Sequence, residues 1–298
     1  MKTLTTIASV REYCDEARRS GARIGLVPTM GFFHAGHRSL MDMARADNDV
    51  VVVSLFVNPT QFGPTEDLAS YPRDLEGDTA LAAAAGVDVL FVPTVEEMYP
   101  AGSAKTTVHV AGLTAGMCGA ARPTHFDGVT TVVAKLFAIV GPCRAYFGRK
   151  DFQQVAVVRR MAADLNLAVE VVGCPLVREA DGLARSSRNA YLTPDERAAA
   201  PQLYRSLLDA TRAIDAGERD AARVVAGVRR LVGAESVLEL EYVEIRDTDD
   251  LEPCEVLDGS FVVALAATVG RARLIDNVVV TITEDGVTVD VGIIAGGP

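Results

Sequence analysis

Residues 50–57 read Val-Val-Val-Val-Ser-Leu-Phe-Val. A nearly unbroken β-branched run has no polar face to give to water. It suits a central parallel strand covered on both sides. It is also far shorter than the roughly 20 apolar residues that span a bilayer. Around it the pattern alternates. Strand patterns fall at Ile24–Val27, Asp88–Val92, Arg144–Phe147 and Ala168–Val172, and an edge strand is expected at Lys105–Val110. Ser9 and Gly21 are suited to start and stop a first helix. Further helices are expected over 73–85, from Asp127 or Thr130 to Val140, and over 152–166. The last of these turns Val155, Val158, Met161, Ala162 and Leu165 inward. Alternation over about 170 residues predicts an α/β, Rossmann-like, doubly wound parallel sheet.

After Pro175 the pattern changes. A polar segment (178–193) leads to helical runs at about 195–216 and 219–232 and to strand patterns at 238–246, 260–269, 272–283 and 287–294. Helices followed by antiparallel strands predict a smaller α+β domain, giving domains of 1–176 and 177–298. With 49% apolar residues, a sizeable core can form. The net charge of −11 and a pI near 4.9 disfavour nucleic acid and acidic membrane surfaces as partners. The five cysteines, Cys14, Cys118, Cys143, Cys174 and Cys254, share no Cys-x-x-Cys spacing, so they read as small buried apolar residues. One early lysine followed by Glu12 and Asp15 is unlike a signal peptide, and the chain reads as cytoplasmic.

The chemistry is concentrated in residues 27–40, Val-Pro-Thr-Met-Gly-Phe-Phe-His-Ala-Gly-His-Arg-Ser-Leu, which hold two of the four histidines. A strand pattern, a tight turn and a helix opening follow one another there. A helix N-terminus carries unpaired N–H groups and about half a positive charge, so it attracts phosphate. Gly31 and Gly36 would let a ligand approach the backbone, and His34 and His37 would add donors. The plain alternative is a turn whose histidines only cap the helix. Ligands of such sheets bind at the carboxyl ends of strands. The Asn58/Gln61 loop and the Lys150/Asp151 turn lie at such ends too, so the three loops are expected to share one crevice. The amides Asn58, Gln61 and Gln154 suit a hydroxyl-bearing ligand. Ser186, Ser187 and Arg188 suit a phosphate clamp, or else a capped turn with a surface arginine. Arg122 and His125 either bind an anion or order their loop. Neither a Walker P-loop nor a Gly-x-Gly-x-x-Gly fingerprint is present.

Six segments together resemble the pantoate–β-alanine ligase family of the cytidylyltransferase-like nucleotidyltransferase superfamily. They are Pro-Thr-Met-Gly-Phe-Phe-His-Ala-Gly-His (28–37), Phe-Val-Asn-Pro-Thr-Gln-Phe-Gly (56–63), Tyr-Pro-Arg-Asp (71–74), the stretch 125–137, Tyr-Phe-Gly-Arg-Lys-Asp-Phe-Gln-Gln (146–154) and Gly-Leu-Ala-Arg-Ser-Ser-Arg-Asn-Ala-Tyr-Leu (182–192). Arg273-Leu274-Ile275-Asp276-Asn277 extends the likeness, which ends near Ile282. The resemblance implies that ATP, D-pantoate and β-alanine become pantothenate, AMP and pyrophosphate through an acyl adenylate. His34, His37, Lys150, Ser186, Ser187 and Arg188 would then be catalytic. Pro28, Thr29, Met30, Gly36, Gly148, Asp151 and Val177 would bind ATP. Asn58, Gln61, Gln154, Met30, His125 and Arg122 would form the pantoate or β-alanine region. Asp78 would help hold Mg2+. A homodimer is implied, with no nucleic acid or membrane partner.

Three positions depart from the family pattern. Phe33 stands where leucine is usual, Arg185 replaces an apolar residue, and Phe152 replaces a small one. Phe33 is expected to crowd the turn before His34. A nucleotidyltransferase acting on a phosphorylated acceptor would share the His-x-Gly-His turn, although Gln61 and Gln154 suit hydroxyls better than phosphate. A non-catalytic nucleotide-binding protein is the third alternative.

Overall fold

The computed structural model describes residues 1–100, 102 and 105–295. Along the chain come β1 (Lys2–Leu4), α1 (Ile7–Arg19), β2 (Ile24–Thr29), α2 (Ala35–Asp47), β3 (Val50–Leu55), α3 (Leu75–Ala84), β4 (Val89–Phe91) and α4 (Val95–Met98). Next are α5 (Met117–Ala121), α6 (His125–Val140), β5 (Cys143–Gly148), α7 (Phe152–Asp164), β6 (Val169–Cys174) and β7 (Val177–Arg178). Three helices follow, α8 (Pro194–Ala199), α9 (Gln202–Asp215) and α10 (Ala221–Val232). The last strands are β8 (Leu238–Asp247), β9 (Gly259–Val269), β10 (Ala272–Thr283), β11 (Gly286–Asp290) and β12 (Ile293–Ile294). Two compact units result. The first comprises Met1–Thr114, Arg122–Arg149 and Val157–Cys174. The second comprises Ala115–Ala121, Lys150–Ala156 and the chain from Pro175 onward.

The first unit holds a six-stranded parallel sheet in the order β1-β4-β3-β2-β5-β6. The valine run is β3, with Val51, Val52 and Val53 fully buried. It pairs with β2 from Ile24↔Val50 to Thr29↔Leu55. On its other edge β2 pairs with β5 at Gly25↔Arg144 and Leu26↔Ala145. The winding reverses between β2 and β5, and this is the switch point at which such sheets receive ligands.

In the second unit, β11-β10-β9-β8 form an antiparallel sheet. Leu203, Leu207, Ala210 and Ile214 of α9 and Val224, Val228 and Val232 of α10 repeat at helical spacing and are buried against it. Each such leucine, isoleucine or valine side chain stabilises the fold by about 1.5–3 kcal/mol.

Several expectations shift. Thr6, not Ser9, caps α1, because its hydroxyl accepts from the Ser9 N–H. Residues 105–110 form no strand. The Val108 N–H and carbonyl bond to the hydroxyls of Thr131 and Thr130 on α6, so they serve no sheet partner. Leu165 is 49% exposed, since α7 ends one residue earlier. The single helix expected over 195–216 is two, broken at Pro201, which has no N–H to continue the ladder.

Candidate active site

At the carboxyl end of β2 the chain turns through Gly31 (φ 86°) and Phe32 (φ 53°) and enters α2. His34 is the N-cap of α2. Its side chain accepts from Gly36 N–H through Nδ1 at 3.1 Å, and His37 Nδ1 accepts from His34 N–H at 3.3 Å. The two rings therefore form a reciprocal capping box, the role that serine and glutamate usually share. The capping alternative thus holds. A nitrogen that accepts carries no proton, so the neutral rings keep their proton on Nε2. Each histidine caps the helix with one edge and has a donor on the other. The rings lie 4.2 Å apart, and Phe33 packs 5.3 Å from His37. Phe33 also joins the core beneath β2 and α2, so the expected crowding is a packing contact.

Asp78, on the first turn of α3, is 2% exposed. It accepts from Phe32 N–H at 2.8 Å and Phe33 N–H at 2.5 Å. Successive N–H groups in a left-handed turn form an anion nest, and this nest is occupied by the protein's own carboxylate. Burial raises the Asp78 pKa, the two N–H bonds oppose that, and Asp74 adds to the rise. A Cβ on Gly31 would meet Asp78 Oδ2 at 3.0 Å and Leu55 at 3.1 Å. Gly31 is thus needed for packing against Asp78. These contacts make Asp78 a clamp on the turn. Among the described residues, no group of three His, Cys, Asp or Glu side chains could hold a metal ion. The Thr29 hydroxyl bonds to the Ser54 carbonyl at 2.5 Å and so joins β2 to β3. Pro28 lies within β2, half-buried. A side chain on Gly148, at the end of β5, would meet nothing within 4 Å, so the backbone there has open space beside it.

Beyond β3, Pro59–Gln61 makes a 3-10 turn. Asn58 is 1% exposed, and its four hydrogen-bonding positions are all used. Nδ2 donates to Gln61 Oε1 and Gly128 O, both at 3.1 Å. Oδ1 accepts from Tyr99 Oη at 2.8 Å and Thr60 Oγ1 at 3.0 Å. Asn58 therefore orients Gln61. Gln61 Nε2 in turn meets Met30 Sδ at 3.1 Å. His125 Nδ1 donates to the Gln61 carbonyl at 2.9 Å, and its Nε2 accepts from Arg122 at 3.1 Å. Arg122 also grips Glu66 with two donors. Arg122 and His125 accordingly order the Gln61 turn. Tyr99, Thr60 and Gly128 complete this network without having been singled out from the sequence. A Cβ on Gly128 would lie 2.4 Å from Thr60 O, so only glycine lets α6 approach the turn. A glycine inside a helical pattern was the signal available.

The remaining predicted residues belong to the second unit. Lys150 Nζ stands 3.7 Å from Asp151 Oδ2. Gln154 is half-buried on the first turn of α7, whereas its neighbour Gln153 is buried and bonds to Gly116 O. Phe152, beside them, is half-buried, and no contact explains its departure. Val177 is a buried residue of β7. Ser186 caps the 3-10 turn Ser187–Tyr191 by accepting from Arg188 N–H at 3.2 Å. Arg185 lies 3.7 Å from Glu179, which also pairs with Arg197 at 2.7 Å.

A parallel sheet with a donor-bearing helix opening at its switch point defines the class, a Rossmann-like enzyme built to receive a phosphate-bearing ligand. The sequence model described as pantoate-beta-alanine ligase matches residues 2–279, so the chain belongs to the pantoate–β-alanine ligase family. Pantothenate synthetase of Moorella thermoacetica is 57% identical over 284 residues, covering 95% of this chain and all of that protein. That of Acetivibrio thermocellus is 52% identical over 282 residues, with 95% and 100% covered. The crystal structure of pantothenate synthetase from Thermus thermophilus superposes with a TM-score of 0.87 at 48% identity, covering 93% of this chain and 98% of that one. Pantoate-beta-alanine ligase from Francisella tularensis, complexed with beta-gamma ATP and beta-alanine, superposes with a TM-score of 0.76 at 33% identity, covering 93% and 97%.

Proposed function

We propose that this chain condenses D-pantoate with β-alanine, using ATP, to form pantothenate, AMP and pyrophosphate through a pantoyl adenylate. The observation that carries the reading is the His34–His37 capping box, which sets two imidazole rings at the helix opening on the sheet's switch point. A carboxylate is ionised at pH 7, so pantoate needs no base. One of its oxygens bonds to the α-phosphorus, the bond to the bridging oxygen breaks, and pyrophosphate leaves with the electron pair. Catalysis then rests on alignment and on donors fixed before charge develops. In this reading His34 and His37 stabilise the phosphate oxygens, and Lys150, Ser186, Ser187 and Arg188 hold the departing pyrophosphate. Met30, Gly36, Gly148, Asp151 and Val177 line the ATP position, while Gln61 and Gln154 hold pantoate hydroxyls. In the second step the β-alanine amine bonds to the acyl carbon, loses a proton, and AMP departs.

Mg2+ belongs to this scheme as the counter-ion that accompanies ATP, hence as part of the substrate. Residues 1–176 would form the nucleotide and pantoate domain and 177–298 the smaller lid. A cytoplasmic homodimer without nucleic-acid or membrane partners completes the proposal. The acidic net charge of −11 supports the part of this reading that concerns nucleic acid, and no helix among the described residues is long and apolar enough to cross a membrane. The test follows AMP in purified protein. ATP with pantoate should yield AMP and pyrophosphate, and added β-alanine should yield pantothenate. ADP formation overturns the reading, and a stable nucleotidylated product favours the plain nucleotidyltransferase.

A further inference from the structure

Arg178 has no exposed surface. A buried guanidinium is costly unless its donors are met, and a buried ion pair is by itself weak evidence for stability. Here all five N–H donors have acceptors. Nε donates to Val291 O at 2.6 Å. Nη1 donates to Gly182 O at 3.0 Å and to Asp276 Oδ2 at 2.7 Å. Nη2 donates to Asp276 Oδ1 at 2.9 Å and to Asn277 O at 3.1 Å. The guanidinium also stacks 3.8 Å from the centre of the Tyr204 ring. The bidentate pair with Asp276 fixes the plane of the fork.

The acceptors of this fork belong to three chain segments. Gly182 opens the stretch that leads to Ser186, Ser187 and Arg188. It has φ 93°, and a Cβ there would lie 2.1 Å from the Tyr204 ring, so its place is strictly defined. Val291 brings in the C-terminal tail, where β12 pairs with β7 at Ile293↔Val177 and Ile294↔Arg178. Asn277 leads to Lys150. Its N–H donates to Asp276 Oδ1 at 2.7 Å, and its side-chain Nδ2 donates to the Lys150 carbonyl at 2.9 Å. Asn277 is only 6% exposed. The backbone of Lys150 and the Ser186–Arg188 segment are therefore tied to one rigid centre, although they are far apart in sequence.

We propose that Asn277 is a positioning residue for the first half-reaction, with Arg178 and Asp276 as its support. It holds the Lys150 backbone in register with Ser186–Arg188, so that Lys150 meets the leaving pyrophosphate. The inference rests on the reading given above for Lys150. A residue that merely fills space would tolerate aspartate, its near-isostere. A residue that donates to a carbonyl tolerates aspartate worst, because a carboxylate oxygen then faces the Lys150 carbonyl oxygen.

Three variants test this: Asn277→Ala, Asn277→Asp and Lys150→Ala. Each is assayed for pyrophosphate release from ATP and pantoate, for amide formation from supplied pantoyl adenylate and β-alanine, and for thermal unfolding. Asn277→Ala should slow pyrophosphate release about tenfold, in line with the penalty for small misplacements, through kcat more than the KM of ATP. Asn277→Asp should slow it further, and amide formation should stay near wild type in both. Wild-type pyrophosphate release in Asn277→Asp overturns the proposal, as does an equal loss of both half-reactions in step with a lowered Tm. If Asn277 variants retain full rate while Lys150→Ala is impaired, only the positioning role is lost. If Lys150→Ala itself is unimpaired, the reading of Lys150 fails.

Discussion

The His34–His37 turn and the Lys150 turn are given the same kind of ligand in the proposed reaction, yet they are held by opposite means. The first is almost self-contained. The two rings cap the helix they open and orient each other over three residues. A distant group, Asp78, fixes the bend before them. The second has little local support. Lys150 lies in a short 3-10 turn, and its carbonyl is held by Asn277, 127 residues on. Behind Asn277 stands an ion pair between residues 98 apart. Local capping makes a preformed donor pair at little entropic cost, because α2 orders those residues anyway. A lysine held through remote contacts depends on the folding of the whole second unit.

Substitution at His34 should have the largest effect and should separate its two roles. Asparagine is a good N-cap, so His34→Asn keeps the helix start and removes the Nε2–H donor. Loss of one preorganised donor to developing phosphate charge typically slows a reaction about 10²–10³-fold. Pyrophosphate release should fall by about that factor with the Tm nearly unchanged. His34→Ala should lose as much activity and about 1 kcal/mol of stability besides. Equal stability of the two variants would mean that the cap contributes nothing, and the self-contained half of the comparison would fail.

Asp78→Asn comes next, with an expected loss of about tenfold in pyrophosphate release. An amide cannot accept from two neighbouring N–H groups with both of its ends. The dependence on Mg2+ concentration should not change, whereas a metal ligand's removal would raise the Mg2+ requirement sharply. pH gives a second readout. Burial raises the Asp78 pKa above the ordinary aspartate range. Stability linked to that proton is therefore present below the unfolded value of about 3.9 and is lost as pH rises through the raised value. Activity runs the other way, because the clamp needs the ionised form. The wild type should lose activity on acidification at a pH above the ordinary aspartate range, and Asp78→Asn should lack that limb.

The sequence displayed what is local and withheld what is distant. The valine run announced β3 because a strand without a polar face has few places to go. The His-x-Gly-His stretch announced a helix opening because cap, turn and helix are consecutive. Alternation alone gave the parallel sheet and so its switch point. By contrast, Asp78 stands 45 residues from Phe33 on a helix with its own apolar pattern, so nothing local shows that its carboxylate turns toward Phe33 N–H. Asn58 looked like a ligand because an amide in a loop ordinarily faces water. Its partners Tyr99 and Gly128 lie 41 and 70 residues further along, and they turn it into a support for Gln61. Asn277 fell inside a segment that carried the family likeness, yet no rule of spacing joins it to Lys150.

The smallest expected effect lies at Glu66, one of several distant residues that support the Gln61 turn. Glu66 accepts from Arg122, which also contacts the Gln61 carbonyl and His125. Burial pushes the Glu66 pKa up, but the Arg122 hydrogen bond and charge, with a bond from Gly63 N–H, outweigh it, and the net shift is downward. The pair's contribution is thus present above the ordinary glutamate range and lost as pH falls through the lowered value. At neutral pH it is intact but partly screened by solvent, so its charge matters little. Glu66→Gln retains an oxygen for Arg122 and removes only that charge. The KM for pantoate should rise about two- to threefold, less than the effect of a lost neutral hydrogen bond, with kcat and the KM for ATP unchanged. A change as large as that of Asp78→Asn would show that the Arg122–Glu66 pair, and not the Asn58 network, is the main support of the Gln61 turn.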